Sequence, residues 1–205
     1  GQLRWKEETG GYIHGSPVIV DDAVAVTGCD GFFRLIRISD GVEVERVDLG
    51  AYIGSSPAYS QKRLYVGTFE NQVLSFDLKE KEVAWVYEHA RRHFPFYSSP
   101  AVTNDLVVIG GRDKMVHGID RSTGEVRWTF LTRSRVDSSP VVVGQTVLIA
   151  DARGVLFRLA LETGKALWQF DSAGGIQASP AISEGRLVIG TLDGDLYCLG
   201  GVDEQ

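Results

Sequence analysis

Apolar residues along this chain come in short runs bounded by turns that carry glycine, asparagine or aspartate. Leu64-Tyr65-Val66, Leu106 to Ile109, Val147 to Ala150 and Leu187 to Ile189 each precede such a turn, and Val73-Leu74 and Val155-Leu156-Phe157 each follow one. These runs are rich in β-branched residues and mostly do not alternate, so they predict inner strands covered on both faces. Val126-Arg127-Trp128-Thr129-Phe130 and Ala166-Leu167-Trp168-Gln169-Phe170 do alternate, and predict outer strands with one face buried. No segment keeps a 3.6-residue apolar period over a helical length.

The pattern repeats. Ser-Pro occurs at Ser16-Pro17, Ser56-Pro57, Ser99-Pro100, Ser139-Pro140 and Ser179-Pro180, in steps of 40, 43, 40 and 40 residues. Fourteen residues after each serine stands a turn pair: Asp30-Gly31, Glu70-Asn71, Asp113-Lys114, Arg153-Gly154 and Asp193-Gly194. Gly or Asn in the second slot suits the positive φ of a tight hairpin. A second turn, Ser122-Thr123-Gly124-Glu125 or Glu162-Thr163-Gly164-Lys165, leads into the outer strand. Four short strands per 40-residue unit, each sheet covered by its neighbours, describe an all-β propeller of four-stranded antiparallel blades. Trp5, Trp128 and Trp168 lie 11 residues before a repeat serine and Trp85 lies 14 before one. Burying one such indole is worth about 4–6 kcal/mol, enough to hold neighbouring blades together. Glu45 stands in this slot in the first full repeat, where a charge predicts a local register shift or a weaker blade contact.

Gly118-Ile119-Asp120-Arg121-Ser122-Thr123-Gly124-Glu125-Val126-Arg127-Trp128 resembles the tryptophan-docking motif of quinoprotein-type propellers, the pyrroloquinoline-quinone-like and BamB-like repeat family; Asp77 to Trp85 and Ala160 to Trp168 are weaker copies. That family includes quinone-dependent alcohol dehydrogenases, BamB-type barrel-assembly lipoproteins and sensor domains attached to kinases. The resemblance implies a periplasmic or extracellular location. It does not imply quinone chemistry, because the large propeller, acidic calcium cluster and vicinal cysteine pair of the dehydrogenases are not evident; no cofactor and no metal are expected.

The whole chain reads as one propeller domain, with repeats over 12–51, 52–94, 95–134, 135–174 and 175–205 plus 1–11. Trp5 sits on an outer strand without inner strands upstream, while the last repeat stops after Leu196-Tyr197-Cys198-Leu199. Placing Gly1 to Trp5 beside Cys198-Leu199 completes a fifth blade, closes the ring and removes two sheet edges; a closed ring is expected to be monomeric. The alternative is an arc of a seven- or eight-bladed propeller. The chain opens on Gly1 in mid-repeat, so a processed, excised or engineered segment is expected, with no export signal of its own.

Charge narrows the partners. The 205 residues carry a formal net charge of −6, which disfavours nucleic acid and anionic membrane, and no apolar stretch is long enough to insert as a membrane helix. Two cysteines, Cys29 and Cys198, make neither a disulfide framework nor a zinc site, and read as isolated, partly buried thiols.

Three residues before each serine an apolar residue recurs: Ile13, Ile53, Phe96, Val136 and Ile176. Positions two and four before it vary, and strand alternation aims them at the channel mouth. The third repeat's extra residues fall here, in Glu88 to Tyr97, and Arg91, Arg92, Arg112, Lys114, Arg133, Arg135 and Arg153 are expected to gather above blades three and four, with Asp113, Asp137 and Asp151 nearby. Tyr12, His14, Tyr52, Arg92, Phe96, Tyr97, Arg112, Arg135, Asp137 and Gln177 are therefore the candidate contact residues. Two readings stay open. One is a non-enzymatic binding or scaffolding propeller that takes a protein or peptide partner, including an acidic one, on its top face. The other is a small-ligand sensor or enzyme holding an anionic metabolite at the channel mouth, where His14, Tyr97 and Asp137 form an acid/base set. The repeated serines read as partners for backbone groups, not as nucleophiles.

Overall fold

A computed structural model describes residues 1–201; the last four positions of the fifth repeat lie outside the described residues. Every regular element among the described residues is a strand. β1 (Val18–Val20), β2 (Ala23–Thr27), β3 (Phe32–Arg37) and β4 (Glu43–Asp48) form the first sheet. β5 (Ala58–Ser60), β6 (Arg63–Gly67), β7 (Gln72–Asp77) and β8 (Glu82–Glu88) form the second. β9 (Ala101–Val102), β10 (Leu106–Gly110), β11 (Met115–Asp120) and β12 (Val126–Leu131) form the third. β13 (Val141–Val143), β14 (Thr146–Ala150), β15 (Val155–Ala160) and β16 (Ala166–Asp171) form the fourth, and β17 (Ala181–Ser183), β18 (Arg186–Gly190) and β19 (Leu196–Gly200) the fifth. All pairs are antiparallel meanders, the arrangement of propeller blades. The predicted inner strands are the buried ones: β10 and β14 are buried at every residue.

Three devices join successive blades. The first is a ladder of the repeat serines. The Ser16 amide donates to Ser56 Oγ at 2.8 Å, Ser56 to Ser99 at 2.9 Å, and Ser99 to Ser139 and Ser139 to Ser179 at 3.0 Å each. Each serine precedes a proline, so no ladder bond is available from the next residue, and its hydroxyl satisfies the amide of the blade before. The second is an indole laid on the next blade's turn. Trp5 Nε1 donates to the Ile38 carbonyl at 2.7 Å, and Trp85 and Trp128 donate to those of Arg121 and Leu161 at 2.9 Å. The turn glycine makes this approach possible: Gly124 holds φ +78°, and a Cβ there would fall 2.8 Å from the Trp85 indole. The third is an aromatic two residues after the tryptophan, packed on the centre of the next blade's third strand. Phe130 meets Phe157 at 5.2 Å and Phe170 meets Tyr197 at 5.3 Å.

At the first boundary the indole pair is replaced by charge. Lys81, in the turn-glycine slot with φ +58°, reaches back to ion-pair with Glu45. The register shift expected at Glu45 is not particular to it, because the same irregularity recurs at Leu35/Ile36, Ser75/Phe76, Gly118/Ile119 and Arg158/Leu159.

Closure by the first strand is not made. The fifth sheet has three strands, and residues 1–9 form none. Between adjacent blades the apolar residue before Ser-Pro fills the space above the preceding blade's second strand, as Phe96 does over Gly67, where a Cβ would lie 2.7 Å from Phe96 Cβ. The equivalent Gly190 has only the Asp195 carbonyl at 3.9 Å, and Ile13, which closure would seat there, is 46% exposed. The serine ladder likewise has no rung from Ser179 to Ser16 among the described residues. The described blades therefore form an open arc: Trp5 docks on blade one, but the segment that carries it is not an outer strand of the three-stranded fifth blade.

Candidate functional site

One backbone bond builds the same frame in every blade. The residue four before the serine offers its carbonyl to the amide at the hairpin turn: Tyr12 to Cys29 (2.8 Å), Tyr52 to Phe69 (2.9 Å), Pro95 to Arg112 (3.0 Å), Arg135 to Ala152 (2.9 Å) and Gly175 to Leu192 (2.7 Å). This places the inter-blade loops and the turns on one face. The apolar residue between the two variable positions points inward: Ile53, Val136 and Ile176 are fully buried. Phe96 belongs with them. At 2% exposure it packs with Tyr65, Tyr87 and Ile109, so it is an anchor and not the contact residue expected of it; strand alternation turns it away from the face that Tyr97 joins.

The face is crowded at blades two to four. Tyr97 meets Phe69 edge-on at 5.8 Å and lies beneath the Arg112 guanidinium, 4.5 Å from its ring centroid. Arg112 grips Asp137 with two hydrogen bonds, Nε to Oδ1 at 2.8 Å and Nη2 to Oδ2 at 3.2 Å. Arg135 Nε adds a third to Oδ2 at 3.0 Å. Both arginines are thus engaged by one nearly buried carboxylate, which offsets one of their two charges. Asp137 accepts from both guanidinium groups. Tyr12, Tyr52 and Gln177 are exposed, and His14 is too. His14 stacks on Tyr12 at 5.9 Å, and no contact joins it to Tyr97 or Asp137 among the described residues. Arg92 folds inward, with Nη1 donating to the Asp113 carbonyl at 2.6 Å. Of the thiols, Cys29 is half-buried and Cys198 exposed.

Beneath the long loop lies a polar relay that the sequence reading did not single out. Tyr87 Oη is 2.9 Å from His117 Nδ1, and His117 Nε2 lies 3.3 Å from Asp113 Oδ1. All three side chains are buried. This is the third joining device in polar form: Tyr87 follows Trp85 by two, as Phe130 follows Trp128, and His117 stands where Phe157 does. Burial drives Tyr87 up to about 12, helped by the Asp113 charge. Burial also opposes ionisation of Asp113, but the His117 hydrogen bond and charge, with the Met115 amide, outweigh it and hold its carboxyl below the ordinary value. The His89 imidazole, 5.9 Å from His117, is pushed down by its own burial and then by that ring. A readable signal existed. Asp30 and Arg34 hold the same two repeat positions in blade one, and there form a buried two-pronged pair at 3.1 and 2.6 Å.

Among the described residues no group of histidine, cysteine or carboxylate side chains is placed to hold a metal. The hydroxyls of Ser56, Ser99, Ser139 and Ser179 are occupied by backbone amides, and among the described residues no hydroxyl–imidazole pair opens onto the face.

The family model for outer membrane protein assembly factor BamB matches residues 1–129, 37–169 and 152–203. A curated relative, the outer membrane protein assembly factor BamB of Burkholderia pseudomallei, is 30% identical over 125 residues, a match covering 61% of this chain and 32% of the relative. The chain thus spans about a third of that protein's length. Among solved structures, BamB from Moraxella catarrhalis superposes with a TM-score of 0.81 at 20% identity, over 96% of this chain and 61% of that one. A quinohemoprotein alcohol dehydrogenase from Pseudomonas putida HK5 superposes with a TM-score of 0.77 at 14% identity, over 96% of this chain and 41% of that one. At such identities these likenesses speak for the fold alone.

Proposed function

Because this chain belongs to the outer membrane protein assembly factor BamB family, we propose that it is a non-enzymatic scaffold that recognises a protein or peptide through the loop face of its blades. The observation that carries this reading is the constant frame under variable side chains. Five equivalent backbone bonds and four buried anchors hold the face, while Tyr52, Tyr97, Arg135 and Gln177 differ from blade to blade. A rigid face with individual aromatic and arginine side chains suits protein recognition, where such residues dominate binding. The engagement of Arg112, Arg135 and Asp137 with one another weighs against a metabolite site at the channel mouth and against acid/base catalysis there. Family kinship supports work in the periplasm, with a protein of the outer membrane assembly pathway as partner.

Photo-crosslinking side chains placed at Tyr52 and Arg135, and at Asn104 and Gln145 in turns of the opposite face, test the reading in envelope extracts. A discrete protein adduct from the first pair alone is expected. Equal adducts from both pairs, or adducts from the opposite face only, would refute it.

A further inference from the structure

The engagement of Arg112 and Arg135 by Asp137 leaves a different set of cations without partners. A groove of about 430 Å³ runs beside the long loop, lined by Arg92, Phe94, Arg112, Lys114, Leu131 and Arg133, with Asp113 and Thr132 at its base. Lys114 and Arg133 form no ion pair among the described residues, and Arg92 gives one hydrogen to a neutral carbonyl. The single carboxylate in the wall, Asp113, is turned inward to His117, its side chain 2% exposed. The groove is therefore cationic on a protein whose net charge is −6.

Its walls are fixed. Thr132 ties the end of β12 to the Lys114 turn, its amide and Oγ1 donating to the Lys114 carbonyl at 2.9 and 2.8 Å. The Arg133 amide donates to Asp151 Oδ2 at 3.1 Å, and the Arg112 amide ties the same turn to Pro95 at 3.0 Å. Backbone held this way fixes where the cations emerge, leaving their side chains to be ordered on binding. Two large apolar side chains stand exposed among them, Phe94 at 50% and Leu131 at 59%.

We propose that this groove takes an extended acidic peptide segment whose carboxylates pair with Lys114, Arg133 and Arg92 while an apolar side chain between them covers Phe94 and Leu131. The proposal rests on the protein-binding reading above and names the chemistry of the partner. Charge complementarity selects the carboxylates. The exposed hydrocarbon selects a peptide over a small free anion, which would leave Phe94 and Leu131 in water.

The probe is a fluorescein-labelled decapeptide with four glutamates and one phenylalanine in a glycine–serine background, followed by anisotropy at low salt. Saturable binding is expected, at least tenfold weaker for the Lys114→Glu/Arg133→Glu double variant, several-fold weaker for Leu131→Ser, and unchanged for Lys165→Glu. All variants should melt with the native protein, since these side chains are exposed and unpaired. Equal binding of a peptide with glutamines for glutamates, indifference to the double variant, or full displacement by citrate would each overturn the proposal. Failure here with the Tyr52 and Arg135 crosslinks intact would refute the acidic chemistry alone; loss of those crosslinks would refute the protein-binding reading itself.

Discussion

Replacing Tyr87 by phenylalanine removes one atom from the boundary between blades two and three. The hydroxyl lies 2.9 Å from His117 Nδ1 inside a fully buried cluster, so the substitution leaves a ring nitrogen without a partner and without water. An orphaned buried polar group costs about 1–3 kcal/mol. His117→Phe should cost more, about 3–5 kcal/mol, because it strips the partner from the buried Asp113 carboxylate. The double variant should cost less than the two combined. A phenylalanine at 87 has no hydroxyl to strand, and two facing rings reproduce the Phe130–Phe157 contact of the next boundary. A coupling of about 1 kcal/mol or more is expected, measured as a double-mutant cycle by urea denaturation. If Tyr87→Phe changes stability by less than about 0.3 kcal/mol, or the cycle is additive within about 0.5 kcal/mol, the relay is not a joint between blades and this account of it fails.

Four further outcomes follow from the contacts between blades and on the loop face. Phe96→Ala should destabilise by about 3–5 kcal/mol as a core deletion, whereas Tyr52→Ala should stay within about 0.5 kcal/mol; thermal melting separates the anchor from the exposed face. The Tyr87 pKa is raised in the folded state, so its contribution is complete below the unfolded pKa of 10.0 and is lost as pH climbs toward about 12. An alkaline melt should therefore show a stability loss in that window that is smaller in Tyr87→Phe. Asp113 is lowered, so its contribution is present at neutral pH and vanishes as acid takes pH below 3.8; Asp113→Asn should flatten the acid limb of the same profile. Glu45→Trp with Lys81→Gly should install an indole at the first boundary, donating to the Leu78 carbonyl as Trp85 donates to Arg121. It replaces an exposed ion pair worth at most about 1 kcal/mol, so the melting temperature should rise; a fall would mean the boundary is shaped for charge.

The 40-residue spacing of Ser-Pro, the hairpin pairs and the tryptophan slots determined the strands, the blades and the devices that join them. Each of these depends on local chemistry: a proline without an amide, a glycine at positive φ, an indole at a set distance from a turn. Repetition makes such chemistry legible, because five copies align and what they share stands out. Only the tertiary structure decided which charges are free. Arg112 lies 25 residues from Asp137, and nothing in their spacing says that the two would meet and leave Lys114 and Arg133 as the open cations. Nor could the repeat say that blade five stands away from blade one, with Gly190 uncovered and Ile13 in water. A repeat specifies each unit and its immediate neighbour contact, but closure depends on the summed small rotations between blades, which only the packed interfaces set.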